Sequence, residues 1–215
     1  MDKHNEHLEN LSEIRSLMER SSRFISLSGL SGVAAGIFAI MGSMAAYWYL
    51  GTHVSSEEVR AYYDYAQTAT GQPNIEFYTF FITDAMLVLI ASLLTGIFLT
   101  IRASRKRGHS IWDPTAKRLL INILIPLVTG GVFCLILIYH GLVGLVAPAT
   151  LVFYGLALIN ASKYTLDDIR YLGICEITLG LISSMYIGYG LIFWTVGFGL
   201  LHIIYGLVMY NKYEK

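Results

Sequence analysis

The sequence predicts an all-α fold: a polytopic membrane bundle of six transmembrane helices, arranged as three repeated hairpins and preceded by an amphipathic helix. Three observations predict it. Hydrophobic residues make up 55% of the 215, and the mean hydropathy is +0.56. Charged residues make up only 14%, against about 25% in an average soluble domain. The charges also fall between long apolar stretches, each close to the ~20 residues a helix needs to cross a bilayer.

Residues 1–22 are expected to form a cytoplasmic amphipathic helix. In "NEHLENLSEIRSLMERSS", Leu8, Leu11, Ile14, Leu17 and Met18 recur at helical spacing on one side. Such a helix either lies on the inner membrane surface or docks a cytoplasmic protein. Residues 23–215 are expected to form the transmembrane domain, with spans at about 24–50, 77–101, 119–140, 143–161, 170–189 and 191–210. The first apolar run is too long for a signal peptide and has no cleavage site, so it is expected to stay as an anchor.

An outer loop, about 51–76, contains the capping-box spacing Ser55–Glu58 and a turn signal at "TGQPN". An inner loop, about 102–118, opens with Arg102, Arg105, Lys106 and Arg107. Such a cluster attracts anionic lipid headgroups at about 1 kcal/mol per basic residue. It is short and no nucleic-acid motif accompanies it, so no nucleic-acid partner is expected. With 15 basic and 15 acidic residues, net charge selects no partner either.

With six alternating spans, every Lys and Arg except Arg60 falls on one side. Basic loops stay cytoplasmic, which places both termini inside and the chain in an inner (plasma) membrane. Tyr47, Trp48, Tyr49 and Tyr78 then sit at the outer interface, and Trp112 and Tyr171 at the inner one.

Spans three–four and five–six read as two versions of one hairpin. Their ends, "FYGLALINASKY" and "IYGLVMYNKY", share Tyr-Gly-Leu before Asn. These hairpins, with glycine-rich first helices, resemble the acid-resistance membrane protein family of repeated transmembrane hairpins; "VAPATLVFYGLALI" is similar to that family's segment with a proline after the hairpin turn. The resemblance covers mainly residues 119–210 and implies a stress-protective membrane protein without a catalytic motif. The opening "EIRSLMERSSRFISLSGLSG" is also similar to uncharacterised bacterial membrane proteins, which implies no activity.

The most informative stretch is "YLGICEITLGLISS", residues 171–184, because Glu176 sits in its middle. A charged acid at mid-helix costs about 2.5–3.5 kcal/mol on insertion scales. If spans five and six fold back to back, Glu176 falls opposite His202. Gly173 then faces Tyr205 or Gly206, and Gly180 faces Gly199 or Phe198; small residues on such edges let membrane helices approach closely. Folding spans three and four about Gly141 likewise sets Asn122 opposite Asn160, below a kink expected at Pro126. Asp84 lies in the outer half without an evident partner. Ser28, Gly32 and Gly36 form another small-residue face, suited either to packing within the chain or to a second copy.

Other chemistries fit less well. His140 and His202 lie at different depths and cannot share a haem, and Glu176 with His202 gives only two metal ligands, so no cofactor or metal is expected. Cys134 and Cys175 fall towards opposite faces and should not pair. "GLSG" around Ser31 has a serine-hydrolase look with His202 as base, but no oxyanion group accompanies it. The function expected is a small transporter or channel-like protein with a protonation-sensitive Glu176–His202 pair and no catalytic residue. The alternative is a non-transporting stress or partner-docking protein, and an intramembrane hydrolase is the remote one.

Overall fold

The computed structural model describes residues 28–53, 66–67, 72–107 and 114–214. The expected amphipathic helix at 1–22, the Ser55–Glu58 box and Trp112 lie outside these. Among the described residues the regular structure is helical, apart from one antiparallel bridge between Gln67 and Pro73.

Six helices follow in order. They are α1 (Gly29–His53), α2 (Ile75–Arg107), α3 (Pro114–Tyr139), α4 (Val146–Ala161, entered through a 3-10 turn at Val143–Leu145), α5 (Ile169–Met185) and α6 (Gly190–Tyr213). Five are long and apolar enough to cross a bilayer, with α4 counted from Val143. The exception is α5, which at 17 residues spans about 26 Å at 1.5 Å per residue, short of a ~30 Å hydrocarbon core. It stops before the expected limit of 189 because Tyr186 leaves helical geometry (ψ 65°) and Gly188 takes φ 119°.

Local chemistry sets the ends. Asn74 Oδ1 accepts from the backbone N–H groups of Glu76 (3.2 Å) and Phe77 (3.4 Å), capping α2. Pro114 opens α3, where its missing N–H costs nothing. Gly141, at φ 72°, turns the chain from α3 towards α4. Inside α3, Pro126 has no N–H for the carbonyl of Asn122. Asn160 Nδ2 takes that carbonyl instead, at 3.0 Å, and reaches Asn122 Oδ1 at 3.3 Å. The proline and the two asparagines thus form one arrangement, in which α4 satisfies a polar group that α3 cannot.

Packing overturns one expectation. The glycines of α5 and α6 do not face each other. A Cβ on Gly173 would stand 2.7 Å from the Gly155 carbonyl oxygen of α4, and one on Gly180 would meet Val152 and the Pro148 carbonyl. On α6, a Cβ at Gly206 would stand 2.6 Å from Gly29 O, and one at Gly199 would meet Ile40. Hence α5 lies against α4, and α6 against α1. Gly32 and Gly36 pack on His202, Gly206, Gly199 and Ile203 within the chain. The two crossings share a register: seven residues on from Gly155–Gly173 lies Pro148–Gly180, and seven on from Gly206–Gly29 lies Gly199–Gly36.

The last helix closes on the first at one end of the bundle. The backbone N–H of Gly29 donates to Glu214 Oε1, and Ser28 Oγ donates to Oε2 at 3.2 Å. An acid there also complements the positive end of the α1 dipole. At the same end, Lys212 Nζ (2.6 Å) and Tyr213 Oη (2.7 Å) donate to Asp168 Oδ2, just before α5. Those two donors hold the Asp168 carboxyl below the usual carboxylate range. A lowered folded value means stability that is present above the unfolded value near pH 4 and lost as pH falls through the folded one. Asp168→Asn is therefore expected to remove a small, acid-sensitive part of the stability, read as a flatter thermal-midpoint profile below about pH 4.

Candidate functional site

The site forms where α4, α5 and α6 meet. Glu176 of α5 is wholly buried (0% exposed), and His202 of α6 is nearly so (6%). Glu176 Oε1 and His202 Nδ1 are 3.4 Å apart. The pair therefore meets as the sequence suggests, although the helices carrying it do not pack along their glycine edges.

A local irregularity of α6 shapes the pair. Residues Thr195–Leu201 wind as a π-helix, a wide turn that recurs at functional sites. His202 Nδ1 lies 3.0 Å from the Gly197 carbonyl oxygen, and Nε2 lies 2.8 Å from Tyr154 Oη of α4. A carbonyl only accepts, so Nδ1 must carry the hydrogen. In neutral imidazole, Nε2 then accepts from the tyrosine hydroxyl; in imidazolium, it donates to it. Gly197 also lets α6 lie directly on the acid: a Cβ there would stand 2.5 Å from Glu176 Oε2 and 2.5 Å from Leu151 Cδ2.

Neither Glu176 oxygen makes a hydrogen bond, and nor does the buried Ser183 Oγ two turns further along α5. His202 is held at both ring nitrogens while Glu176 is held at neither oxygen. A proton shared between them moves charge by only a few ångströms, and the two must titrate as a unit. From His202 an aromatic row climbs α6, with Phe198 stacked on His202 at 5.8 Å and Trp194 tilted against Phe198 at 4.9 Å. Trp194 ends at a cavity that also holds Asp84.

The remaining predicted residues lie elsewhere. Asn122 and Asn160 pair with each other between α3 and α4. Arg102 and Arg105 are exposed on the last turns of α2; the side chains of Lys106 and Arg107 lie outside the described residues. Ser31 Oγ donates to the Ser28 carbonyl at 2.5 Å, while both His202 nitrogens are engaged elsewhere, so the serine–histidine pair is not formed. Cys134 and Cys175 are free thiols on α3 and α5. Among the described residues, no three His, Cys, Asp or Glu converge.

Sequence reasoning missed Tyr154 and Gly197. Tyr154 belongs to the repeated Tyr-Gly-Leu element, which points to a hairpin repeat and not to a partner for His202. Gly197 shares "TVGFGLL" with Gly199, and nothing in that string marks it as the one facing an acid.

These features define a class: a polytopic, largely apolar helical bundle of the membrane-protein kind with a buried Glu–His pair. No family model, no curated protein and no solved structure matches the chain.

Proposed function

We propose that the chain is a small transporter or channel-like protein of a bacterial inner membrane, in which the Glu176–His202 pair takes up and releases a proton. It crosses six times, with α5 as a short fifth crossing and both ends in the cytoplasm. It carries no catalytic machinery, and its work is binding and movement. The observation that carries this reading is the state of Glu176: wholly buried, unbonded at both oxygens and 3.4 Å from an imidazole. A carboxyl kept only to lock two helices would be expected to have its hydrogen bonds made, since a half-satisfied buried group is costly. Ionisable groups at membrane depth commonly mark ion or proton pathways. The shared end of α1 and α6 supports the orientation, because the basic loops gather on that side. There Arg102, Arg105, Lys106 and Arg107 rest on anionic lipid headgroups.

In proteoliposomes, Glu176→Gln is expected to abolish pH-dependent flux while the protein still folds, because Gln keeps the shape and cannot exchange a proton. Flux that keeps its full pH dependence in that variant contradicts the proposal.

A second reading, a non-transporting stress or docking protein akin to the acid-resistance family, is favoured by the repeated α4–α5 and α6–α1 crossing register. It predicts that Glu176→Gln leaves the cell phenotype intact and that removal of residues 1–22, the segment proposed to dock a cytoplasmic protein, destroys it.

A further inference from the structure

At the end of the bundle away from Glu214, a cavity of about 260 Å³ lies between α1, α2, α4 and the first turn of α6. Its walls are largely apolar and aromatic, and the lining residues that carry a side-chain oxygen are Asp84, Ser43, Thr150 and Tyr78. Ser43 Oγ donates its proton to the Ala39 carbonyl at 2.9 Å, and Thr150 Oγ1 donates to Ala147 at 2.7 Å. Each hydroxyl has spent its only hydrogen on its own helix and has only lone pairs left to offer. The Asp84 carboxyl makes no ion pair or hydrogen bond among the described residues. It rests beside Gly42, where a Cβ would stand 3.3 Å from Oδ2.

The cavity therefore offers acceptors at Asp84, Ser43 and Thr150, with the Tyr78 phenol as its one side-chain hydroxyl free to donate. Phe77, Tyr78 and Trp194 add aromatic faces, which attract cations. A purely lipid-filled crevice has no use for a carboxylate. We propose that this cavity binds a protonated organic amine with a small apolar or aromatic body. The ammonium sits on Asp84 and donates to Ser43 and Thr150, and the body lies among the rings. The volume is just below the ~300–1,000 Å³ typical of ligand pockets, which suits a single-ring amine. This site goes beyond the proton reading and does not depend on it, since Glu176 is not among its walls.

The test is calorimetric titration of the full chain in phosphatidylcholine nanodiscs. The probe is 2-phenylethylamine, and its uncharged counterpart propylbenzene is the control. The amine is expected to bind saturably and at least about tenfold tighter than the hydrocarbon, as a charge-assisted hydrogen bond requires. Asp84→Asn, nearly isosteric, is expected to erase that preference while leaving hydrocarbon binding and the circular dichroism spectrum unchanged. Thr150→Val is expected to weaken the amine alone. Glu176→Gln is expected to bind the amine as before, so a failure of the proton mechanism leaves this result standing. An ethanolamine lipid headgroup carries the same ammonium: in nanodiscs with phosphatidylethanolamine, unchanged affinity assigns the site to free amines, and competition assigns it to the lipid amine. Equal affinity for amine and hydrocarbon, no effect of Asp84→Asn, or no saturable binding overturns the proposal.

Discussion

Replacing His202 with alanine is expected to cost the folded protein about 3–5 kcal/mol, the range for breaking a buried ion pair from one side. The loss has three parts. Glu176 loses its nearest polar neighbour and stays wholly enclosed. The Tyr154 hydroxyl and the Gly197 carbonyl each lose a hydrogen-bond partner. Phe198, stacked at 5.8 Å on the imidazole, loses that face. An unpaired buried polar group costs about 1–3 kcal/mol, so the acid and the tyrosine account for most of the effect. The measurement is unfolding in mixed detergent micelles, followed by tryptophan fluorescence. Replacing Glu176 and His202 together with leucine is expected to restore much of the loss, because it removes the buried acid along with its partner.

Gly206→Ala is expected to cost about 1–3 kcal/mol, the overpacking range. The new Cβ would stand 2.6 Å from Gly29 O and 2.6 Å from Val33 N. Both are backbone atoms and cannot rotate away, so α1 and α6 must separate along the crossing that also carries Gly36–Gly199. Association of membrane helices rests on such close packing, because lipid supplies no hydrophobic drive. Gly131→Ala is the control. Nothing lies within 4 Å of its Cβ, so the substitution should be neutral or slightly stabilising through helix propensity. Equal effects at the two positions would show that the α1–α6 crossing does not set the cost.

Much of this fold was legible in the sequence. Apolar length and charge spacing give the helices to within a few residues, and depth counting brings together Glu176 with His202 and Asn122 with Asn160. Depth counting works because rise per residue is fixed. The helix that each small-residue edge meets was not legible. Gly173 and Gly180 have the same three-and-four spacing whether they face α4 or α6, since that spacing reports a face and not its neighbour. The π-helical turn was hidden for a related reason. It lies where α6 packs on α1, α4 and the acid, and "TVGFGLL" has no residue that demands it. Nothing in the sequence marks Glu214 as a cap; its capping of α1 exists only because the first and last helices are adjacent. Short α5 depended on Gly188 adopting positive φ, which glycine permits but does not impose.

Proton handling depends on Glu176 and His202 acting as one unit in the shared enclosure of α4, α5 and α6. The most direct test is a double-mutant cycle on unfolding free energy with Glu176→Gln, His202→Ala and the two combined. Two side chains in direct contact are expected to give a coupling energy of about 0.5–3 kcal/mol, with the double variant less damaged than the two single losses added together. Additive losses, within about 0.3–0.5 kcal/mol, would mean that the acid and the imidazole do not sense each other, and the proton-handling role would have no basis.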